Sequence, residues 1–550
     1  MTAERTSWTA RACLLLVVAL PLFSYPLSWL PASTASRALT LPLAVVAGIA
    51  ILLGLAIRLV SGRSGVPAAT GPTEEPQESR RGRRSYLATM PVSIPRPLIA
   101  PMLIWAISLL ISVRFSQHPH LSVLVLPLFL SNLCLLWLGT CLPPAQLPGL
   151  AWCWLGTATI VAVNGLIRLG SDGAMLSTIG NQNVTAAYLA SSVPLAVALR
   201  NRWSYLLGGG LLVTLLFCRS RGAWLALAIL ALAAFIVAGS RRRWLAAAPA
   251  VALIVWLGVT QWNQDVRPII WRGTLKMIAA HPLAGHGLGT FLVNYPPFRP
   301  PEYFARPKAA PVTDHAHNEL LEVTAEQGVI GLAATLWLWG CALRRRGQMP
   351  VAGGLAGSAL ILAVHGLLDV GLRFPPAQSL FWLVLGVVAA HGPPVEFAAL
   401  RLGSRFARFS LAVVCVAVAA WMFVAGVLNP VRADWWEQRA HVAERGNDQT
   451  AAIAAARRAL QAQPFRPHTR FFLARLLADA SPDAAIAELE RLQELAPDYA
   501  NTRYNLGLLY LRQGRTAEAI PHLRRAVEMN PGDQDARRLL DELASPPEHR

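Results

Sequence analysis

Long apolar segments alternate with short polar connections over most of this chain. Runs of about 20 apolar residues recur, and each is long enough to cross a hydrocarbon core of roughly 30 Å as a helix. The runs are continuous rather than alternating, which favours helices over a β-barrel. We count about 13 such spans in the sequence. They cover roughly 12–32, 39–60, 98–113, 121–141, 148–168, 184–199, 203–218, 222–239, 244–261, 328–343, 353–372, 376–391 and 409–428.

Polar segments divide the chain into a membrane domain at 1–428 and a separate domain at 429–550. Within the membrane domain, 61–97 is rich in Pro, Gly, Ser and Arg and is predicted to be a flexible cytoplasmic linker. The long polar segment 262–327 lies between two apolar runs and is predicted to be the largest loop. The fold class expected is therefore all-α, a polytopic helical membrane protein followed by a smaller domain.

The C-terminal domain has the spacing of tetratricopeptide repeats. In 500–531, small and large apolar residues recur at the positions that pack two helices, and Pro531 ends the second helix. Stepping back by 34 residues gives Pro497, and a further step reaches the neighbourhood of Pro464. The sequence predicts three helical hairpins over 430–545, with a concave face for a protein partner or a purely structural role.

Composition supports the membrane interpretation, because 54% of the residues are hydrophobic and 14% are charged. The net charge of +19 comes mostly from arginines in alternate short loops, so it indicates topology rather than nucleic-acid binding. The positive-inside rule places the N-terminus in the cytoplasm. It places 262–327 and the repeat domain on the outer side of the membrane. The seven cysteines form no disulfide framework and no CxxC metal pair.

Unusual polar residues cluster at the predicted outer ends of the spans. The segment "STIGNQNVTAAYLA" contains Asn181 and Asn183, and "HGLLDVGLRF" places His365, Asp369 and Arg373 four residues apart, along one face of a helix. The remaining candidates are Arg219 and Arg221 at a span start, Arg267, Arg272, Lys276, His281 and His286 in the long loop, and Asp314, His315, His317 and Asn318 at its end.

These residues also have structural explanations. Arg373 at a helix end can extend its charge toward lipid head groups, and the GNQN stretch can cap a helix. A metal bound by His315 and His317 is disfavoured, because no HExxH motif or Cys/His set accompanies them. The alternative is that these residues bind a substrate and catalyse a reaction. Arginines bind diphosphate oxygens, and a histidine can take a proton from a hydroxyl. That combination, beside apolar helices, suits a lipid-diphosphate substrate.

Four motifs resemble the O-antigen ligase and polymerase superfamily of bacterial envelope glycosyltransferases. They are the sequence from Ser220 to Trp224, Arg267-x-x-x-Trp271 followed by "HPLAGHGLGTF", "HNELL" from His317 followed by "EQGVIG", and GNQN before a span. Together they cover about 180–335 of the chain. Their order and spacing, rather than any single motif, carry the resemblance.

The resemblance implies cofactor-free, metal-independent glycan transfer from an undecaprenyl-diphosphate donor to an acceptor hydroxyl of lipid A-core. It also implies that the reaction takes place on the periplasmic face of the bacterial inner membrane, which makes the outer loop 262–327 and the repeat domain periplasmic. Arg221 and Arg267 would hold the diphosphate, and His317 would act as the general base, with His315 as the alternative base. Asn318, Arg219, Arg272, Arg373, Asn181 and Asn183 would then contact substrates. The helix beginning at Glu319 would lead back into the membrane, with its glutamates on a solvated turn.

Other functions stay open at this point. A repeat-unit polymerase and a protein O-oligosaccharyltransferase would share the same fold, and the appended repeat domain, which the lipid A-core ligases lack, leaves the acceptor open. A transporter of polysaccharide or lipid is the alternative from another class, with His365 and Asp369 as its ionisable groups. The partners expected are the lipid-linked glycan, a glycolipid or protein acceptor, membrane lipids and a protein bound by the repeats.

Overall fold

The fold is helical apart from one small sheet in the part of the chain that the computed structural model describes. That part comprises 8–22, 45–56, 93–173, 175, 177–237, 265–306, 309–310, 312–344, 349–391, 397–399 and 404–544. The helices of the membrane domain are α1 (Trp8–Leu22), α2 (Val45–Ala56), α3 (Arg96–Arg114), α4 (Pro119–Thr140), α5 (Leu147–Asp172), α6 (Gln182–Ala198), α7 (Arg202–Cys218), α8 (Arg221–Val237), α9 (Arg267–Ala280), α10 (Phe291–Asn294), α11 (Glu319–Leu343), α12 (Pro350–Gly366), α13 (Pro375–Ala390) and α14 (Arg405–Phe423).

Four helical stretches in the described residues are long and apolar enough to cross a membrane: α3, α4, Pro144–Gly170 and Arg405–Arg445. Five further apolar helices are shorter, namely α2, α7, α12, α13 and the first part of α8. The predicted span 244–261 lies outside the described residues. The prediction of about 13 crossings therefore stays a prediction.

Small residues allow the membrane helices to pack closely. A Cβ atom on Gly139 of α4 would lie 2.1 Å from the carbonyl oxygen of Leu383 in α13, and one on Gly386 would lie 1.9 Å from that of Leu136. Lipid tails are about as apolar as the side chains of the helices, so burial of apolar surface does not drive the helices together. Close packing of this kind helps to hold transmembrane helices together instead. Helices α3 and α11 pack together in the same domain, as do α6 and α12.

The predicted helix face carrying His365, Asp369 and Arg373 is wrong. Helix α12 ends at Gly366, and a turn follows that contains Asp369. Arg373 then closes a short 3₁₀ turn, Gly371–Arg373, before the Pro-Pro start of α13. Helix α12 thus ends six residues before the predicted span end at 372, so Asp369 and Arg373 lie in the connection to α13, which begins with two prolines.

The end of the predicted flexible linker is also structured. Ser93–Pro95 forms strand β1, which pairs antiparallel with β2 (Phe397–Ala399), and α3 begins directly at Arg96. Residues 61–92 of the linker lie outside the described residues.

Helix α11 changes direction in its middle. Gly328 has φ 67° and ψ −171°, a conformation that a residue with a Cβ rarely adopts. A Cβ there would lie 2.0 Å from the carbonyl oxygen of Leu283, so the preceding loop packs directly onto the kink. The first part of α11 is thereby turned relative to the apolar second part.

The C-terminal part consists of helical hairpins. Its helices are α15 (Asn429–Arg445), α16 (Gln449–Ala462), α17 (Pro467–Leu477), α18 (Pro482–Leu495), α19 (Thr502–Arg512), α20 (Thr516–Met529) and α21 (Gln534–Ala544). Gly507 lies against Leu523, as the repeat spacing predicts, because a Cβ on this glycine would meet the leucine side chain at 2.7 Å. Helices α14 and α15 are continuous through a π-helical turn at Val424–Leu428, so no loop separates the two parts of the chain.

Candidate functional site

Two arginines at helix starts meet at one carboxylate. Arg221 begins α8 and Arg267 begins α9, and Nη2 of Arg221 lies 3.1 Å from Oδ2 of Asp265. The same oxygen lies 3.6 Å from Nη1 of Arg267, whose backbone N–H donates to Oδ1 of Asp265 at 3.0 Å. Asp265 therefore holds both guanidinium groups at the amino ends of two helices, where the helix dipoles also favour anions.

A second carboxylate connects Arg267 to His317. Nη2 of Arg267 lies 2.6 Å from Oδ2 of Asp369, and Nδ1 of His317 lies 3.2 Å from Oδ1 of the same residue. Asp369 is 3% exposed, in the turn after α12. Burial alone would raise the pKa of this carboxyl, but the hydrogen bond with His317 and the charge of Arg267 lower it well below its usual range. The carboxylate thus stays ionised at neutral pH.

The segment that carries His317 is fixed on both sides. The indole N–H of Trp271 in α9 donates to the carbonyl oxygen of Ala316 at 2.9 Å, and the N–H of Ala316 donates to Glu322 of α11 at 2.8 Å. Asn318 caps α11 by accepting from the N–H of Leu321 at 3.1 Å. His317 itself has φ 54°, an uncommon left-handed conformation that the surrounding contacts maintain.

This arrangement can accept a proton and neutralise an anion. Nδ1 of His317 faces a carboxylate, so the neutral tautomer that donates from Nδ1 satisfies this contact and has a lone pair on Nε2. No residue in the described part pairs with that nitrogen. Arg221 is 37% exposed and keeps guanidinium N–H groups for a ligand, since each arginine has five donors. Asp265 and Asp369 therefore connect His317 to Arg267 and Arg221.

His315, in contrast, belongs to a separate buried cluster. Its Nδ1 lies 2.8 Å from Glu322, and Arg373 pairs with Glu319 and Glu326 of α11 at 2.9 Å each. Arg373 is 7% exposed, so the interpretation that it extends to head groups is wrong. The expectation of glutamates on a solvated turn is also wrong. Glu319, Glu322 and Glu326 are buried around the guanidinium group of Arg373.

Among the described residues, Asn181, Asn183, Arg219 and Arg272 form no hydrogen bond or ion pair with Asp265 or Asp369. Asn181 caps α6 by accepting from the N–H groups of Asn183 and Val184 at 2.9 and 3.1 Å. Arg219 is exposed at the left-handed end of α7, and Arg272 forms an exposed ion pair with Glu302 at 2.7 Å. The structure gives these residues local roles, and any substrate contact by them is still a prediction.

Sequence reasoning missed the two aspartates as parts of this site. Asp265 stands two residues before Arg267, where an aspartate typically accepts from the backbone at a helix start, and that signal was available. The sequence pattern alone places Asp369 on a helix face with His365 and Arg373, as an ionisable group. Its pairing with His317, 52 positions away, is a tertiary contact that no local pattern reveals.

Comparisons with known proteins agree with part of this picture. Residues 205–336 match the model of the O-antigen ligase family, a segment that contains Arg221, Arg267 and His317. Residues 474–534 match a tetratricopeptide repeat. No curated protein matches the chain. The crystal structure of the APC/C hetero-tetramer Cut9-Hcn1 is 13% identical over 76% of each chain, but its TM-score of 0.22 supports no argument. The chain thus contains a segment similar to the O-antigen ligase family, followed by a segment similar to tetratricopeptide repeats.

Proposed function

We propose that the chain is an O-antigen ligase-type glycosyltransferase. It would move a glycan from an undecaprenyl-diphosphate donor to an acceptor hydroxyl, on the periplasmic face of the inner membrane. The observation that carries this proposal is the position of Asp369, whose two carboxylate oxygens lie 2.6 Å from Arg267 and 3.2 Å from His317. The proposed base and the proposed diphosphate-binding arginine are thereby held by one carboxylate.

In the proposed reaction His317 is the general base. Nε2 takes the proton of the acceptor hydroxyl while that oxygen attacks the anomeric carbon of the donor sugar. The bond from this carbon to the diphosphate oxygen breaks, and undecaprenyl diphosphate leaves with the electron pair. Asp369 stabilises the imidazolium that forms, as a carboxylate does for a histidine base in hydrolases.

Arg221 and Arg267 would bind the diphosphate and neutralise its growing charge. Their positions at the starts of α8 and α9 add helix N-termini to two guanidinium groups, and both features favour phosphate oxygens. The apolar surfaces of neighbouring helices would accommodate the lipid tail. Such preorganised charges act mainly on the transition state, where the leaving group is most negative.

Lipid A-core is the first acceptor we propose, and a protein acceptor is the second. The second is favoured by the packing of the repeat helices against the long loop. Leu292 and Val293 of α10 pack in one apolar cluster with repeat residues such as Leu473, and His120 stacks on Phe465 with ring centroids 3.7 Å apart. A protein bound by the repeats would be held beside the loop that leads to His317.

The test is rescue of a deletion strain by the wild type or by His317→Ala, with lipopolysaccharide and periplasmic glycoproteins separated on one gel. Core without polymer, together with accumulated lipid-linked polymer, indicates a ligase. A single attached unit indicates a polymerase, and loss of glycoproteins alone indicates protein glycosylation. Full rescue by His317→Ala at equal protein level would refute the proposed mechanism. A transporter would instead require His365 and Asp369 and tolerate both His317→Ala and Arg267→Ala.

A further inference from the structure

The exposed apolar surface of α14 continues onto α15, beyond the length that a membrane requires. The two helices run from Arg405 to Arg445 without a loop. Large apolar side chains are exposed along one side of them, at intervals of three, four, seven or eight residues that keep them on one helix face. These residues, called the apolar stripe below, are Phe409, Val413, Val416, Val424, Leu428, Val431, Trp435 and Val442.

The start of α15 lies at the depth of the lipid headgroups. About 20 helical residues cross a hydrocarbon core of roughly 30 Å. Counted from Arg408, the last charged residue before the apolar part of α14, the core ends near Leu428. Arg432 and Trp435 then lie about 6 and 10 Å farther along the helix axis. The headgroup layer extends roughly 5–8 Å beyond the core, so both side chains can reach it.

The charged residues of α15 are divided between opposite faces. Asp434 and Glu437 point toward the repeats, where Nη2 of Arg466 lies 2.5 Å from each carboxylate. Arg432 and Arg439 each lie two positions from one of these acids, which turns them about 200° away on a helix. Both arginines are exposed, and neither forms an ion pair with a described residue. The face of the apolar stripe therefore carries positive charge that the acids do not neutralise.

Tryptophan rings hold the arginines of this surface. Cζ of Arg439 lies 4.2 Å from the ring centroid of Trp435, which precedes it by four residues. Trp435 and Trp436 are in edge-to-face contact with centroids 4.5 Å apart, and Cζ of Arg458 lies 4.5 Å from the ring of Trp436. A cation–π contact occupies the face of a guanidinium group and leaves its N–H donors for an acceptor. Because Arg439 leans on Trp435, its charge is directed toward the membrane end of α15.

We propose that Arg432, Trp435 and Arg439 bind the phosphate of an anionic phospholipid in the headgroup layer. Phosphate supplies acceptors to both guanidinium groups, and tryptophan prefers the boundary between lipid and water. A soluble protein partner would account for the charge, but not for an apolar stripe that begins within a candidate membrane span. The contact would hold the repeats at a fixed height above the bilayer, and it does not depend on the transferase function.

A photo-crosslinking residue at position 435 identifies what this surface contacts. The full chain with Trp435→p-benzoylphenylalanine is placed in nanodiscs with equal amounts of phosphatidylglycerol and phosphatidylcholine, and the adducts formed on irradiation are identified by mass. We expect phosphatidylglycerol adducts in excess. Arg439→Gln should lower this excess about fivefold, the effect of one arginine near an anionic surface. The control, Arg524→Gln, removes an exposed arginine of α20 outside this surface and should leave the excess unchanged.

Three results would overturn the proposal. They are equal adducts of the two lipids, an excess that persists in Arg439→Gln, and a crosslinked second copy of the chain in place of a lipid adduct. Arg439 is exposed and pairs with no described carboxylate, so its substitution should not prevent folding. Arg432→Gln tests the same surface independently and should also lower the excess, and an unchanged excess in this variant would count equally against the proposal.

Discussion

Asp369→Asn separates the role of charge in the site from the role of shape. The amide keeps the volume of the carboxylate, but it offers one acceptor and one donor where the carboxylate offers two acceptors. Arg267 can only donate, so it takes the amide oxygen. The NH₂ group then faces Nδ1 of His317, which must accept. The ring proton therefore moves to Nε2, and that nitrogen can no longer take a proton from a hydroxyl.

The catalytic effect should exceed the effect on stability. A correctly placed general base contributes about 10²–10⁴ in rate, and the wrong tautomer forfeits most of it. Asp369 is 3% exposed, so solvent does not replace the lost charge. Losing one charge-assisted hydrogen bond costs about 1.5–3 kcal/mol, and Asp265, 3.6 Å from Arg267, retains part of the pairing. A domain with about 5–15 kcal/mol of stability would stay folded.

The assay is transfer by the purified full chain in nanodiscs at saturating donor, with thermal unfolding measured on the same samples. We expect kcat to fall about a thousandfold, within the range for a general base, while the KM for the donor stays within threefold. Asp265→Asn is the matched control, because it removes a carboxylate from the arginines without touching His317. It should mainly raise the donor KM. A kcat for Asp369→Asn within threefold of the wild type, or a loss equal to that of the control, would refute the reasoning.

Four further predictions follow from the same contacts. His315→Ala should keep most of the activity that His317→Ala abolishes, and the reverse result in transfer assays would exchange their roles. Arg373→Met leaves buried glutamates without a counter-charge and should cost about 3–5 kcal/mol, seen as reduced protein in membranes; normal levels would contradict this. Burial raises the pKa of Asp498, but hydrogen bonds from Arg525 and Arg503 outweigh it and lower the pKa. The stability that ionised Asp498 contributes is thus present above about pH 4 and lost as pH falls through the lowered pKa. Asp498→Asn should therefore reduce the loss of stability at acid pH in unfolding scans, and an unchanged pH profile would contradict this. EDTA should leave transfer rates unchanged, and loss of activity that Mg²⁺ restores would exclude a metal-independent reaction.

Local chemistry explains what could be predicted from the sequence. The apolar runs indicate where helices lie, because their length and continuity are properties of consecutive residues. Asn181 and Asn318 cap the helices that follow them, as asparagine before an apolar run indicates. Gly507 against Leu523 follows from a repeat spacing that recurs within the chain.

Contacts between distant segments explain what could not be predicted. Helix α12 ends at Gly366, well before the two prolines that start α13, and helical periodicity carried beyond Gly366 predicts the wrong face for Asp369 and Arg373. The glutamates of α11 occur at i, i+3 and i+7, a spacing equally typical of a solvated helix face. The burial of that face depends on tertiary partners such as Arg373, 47 residues beyond Glu326.

The choice between the two histidines follows from the difference between their carboxylate partners. Glu322 is the carboxylate partner of His315. It also accepts a hydrogen bond from the N–H of Ala316 and lies 3.4 Å from buried Arg373, so its charge is already balanced by groups inside the fold. Asp369, which holds His317, faces Arg267, whose side chain is 20% exposed and can turn toward a ligand. A proton accepted by His315 would disturb a closed cluster. In the proposed reaction, a proton accepted by His317 would be balanced by Asp369. The other partner of this carboxylate, Arg267, would bind the departing diphosphate, so the proposed base and leaving group would be coupled in one site.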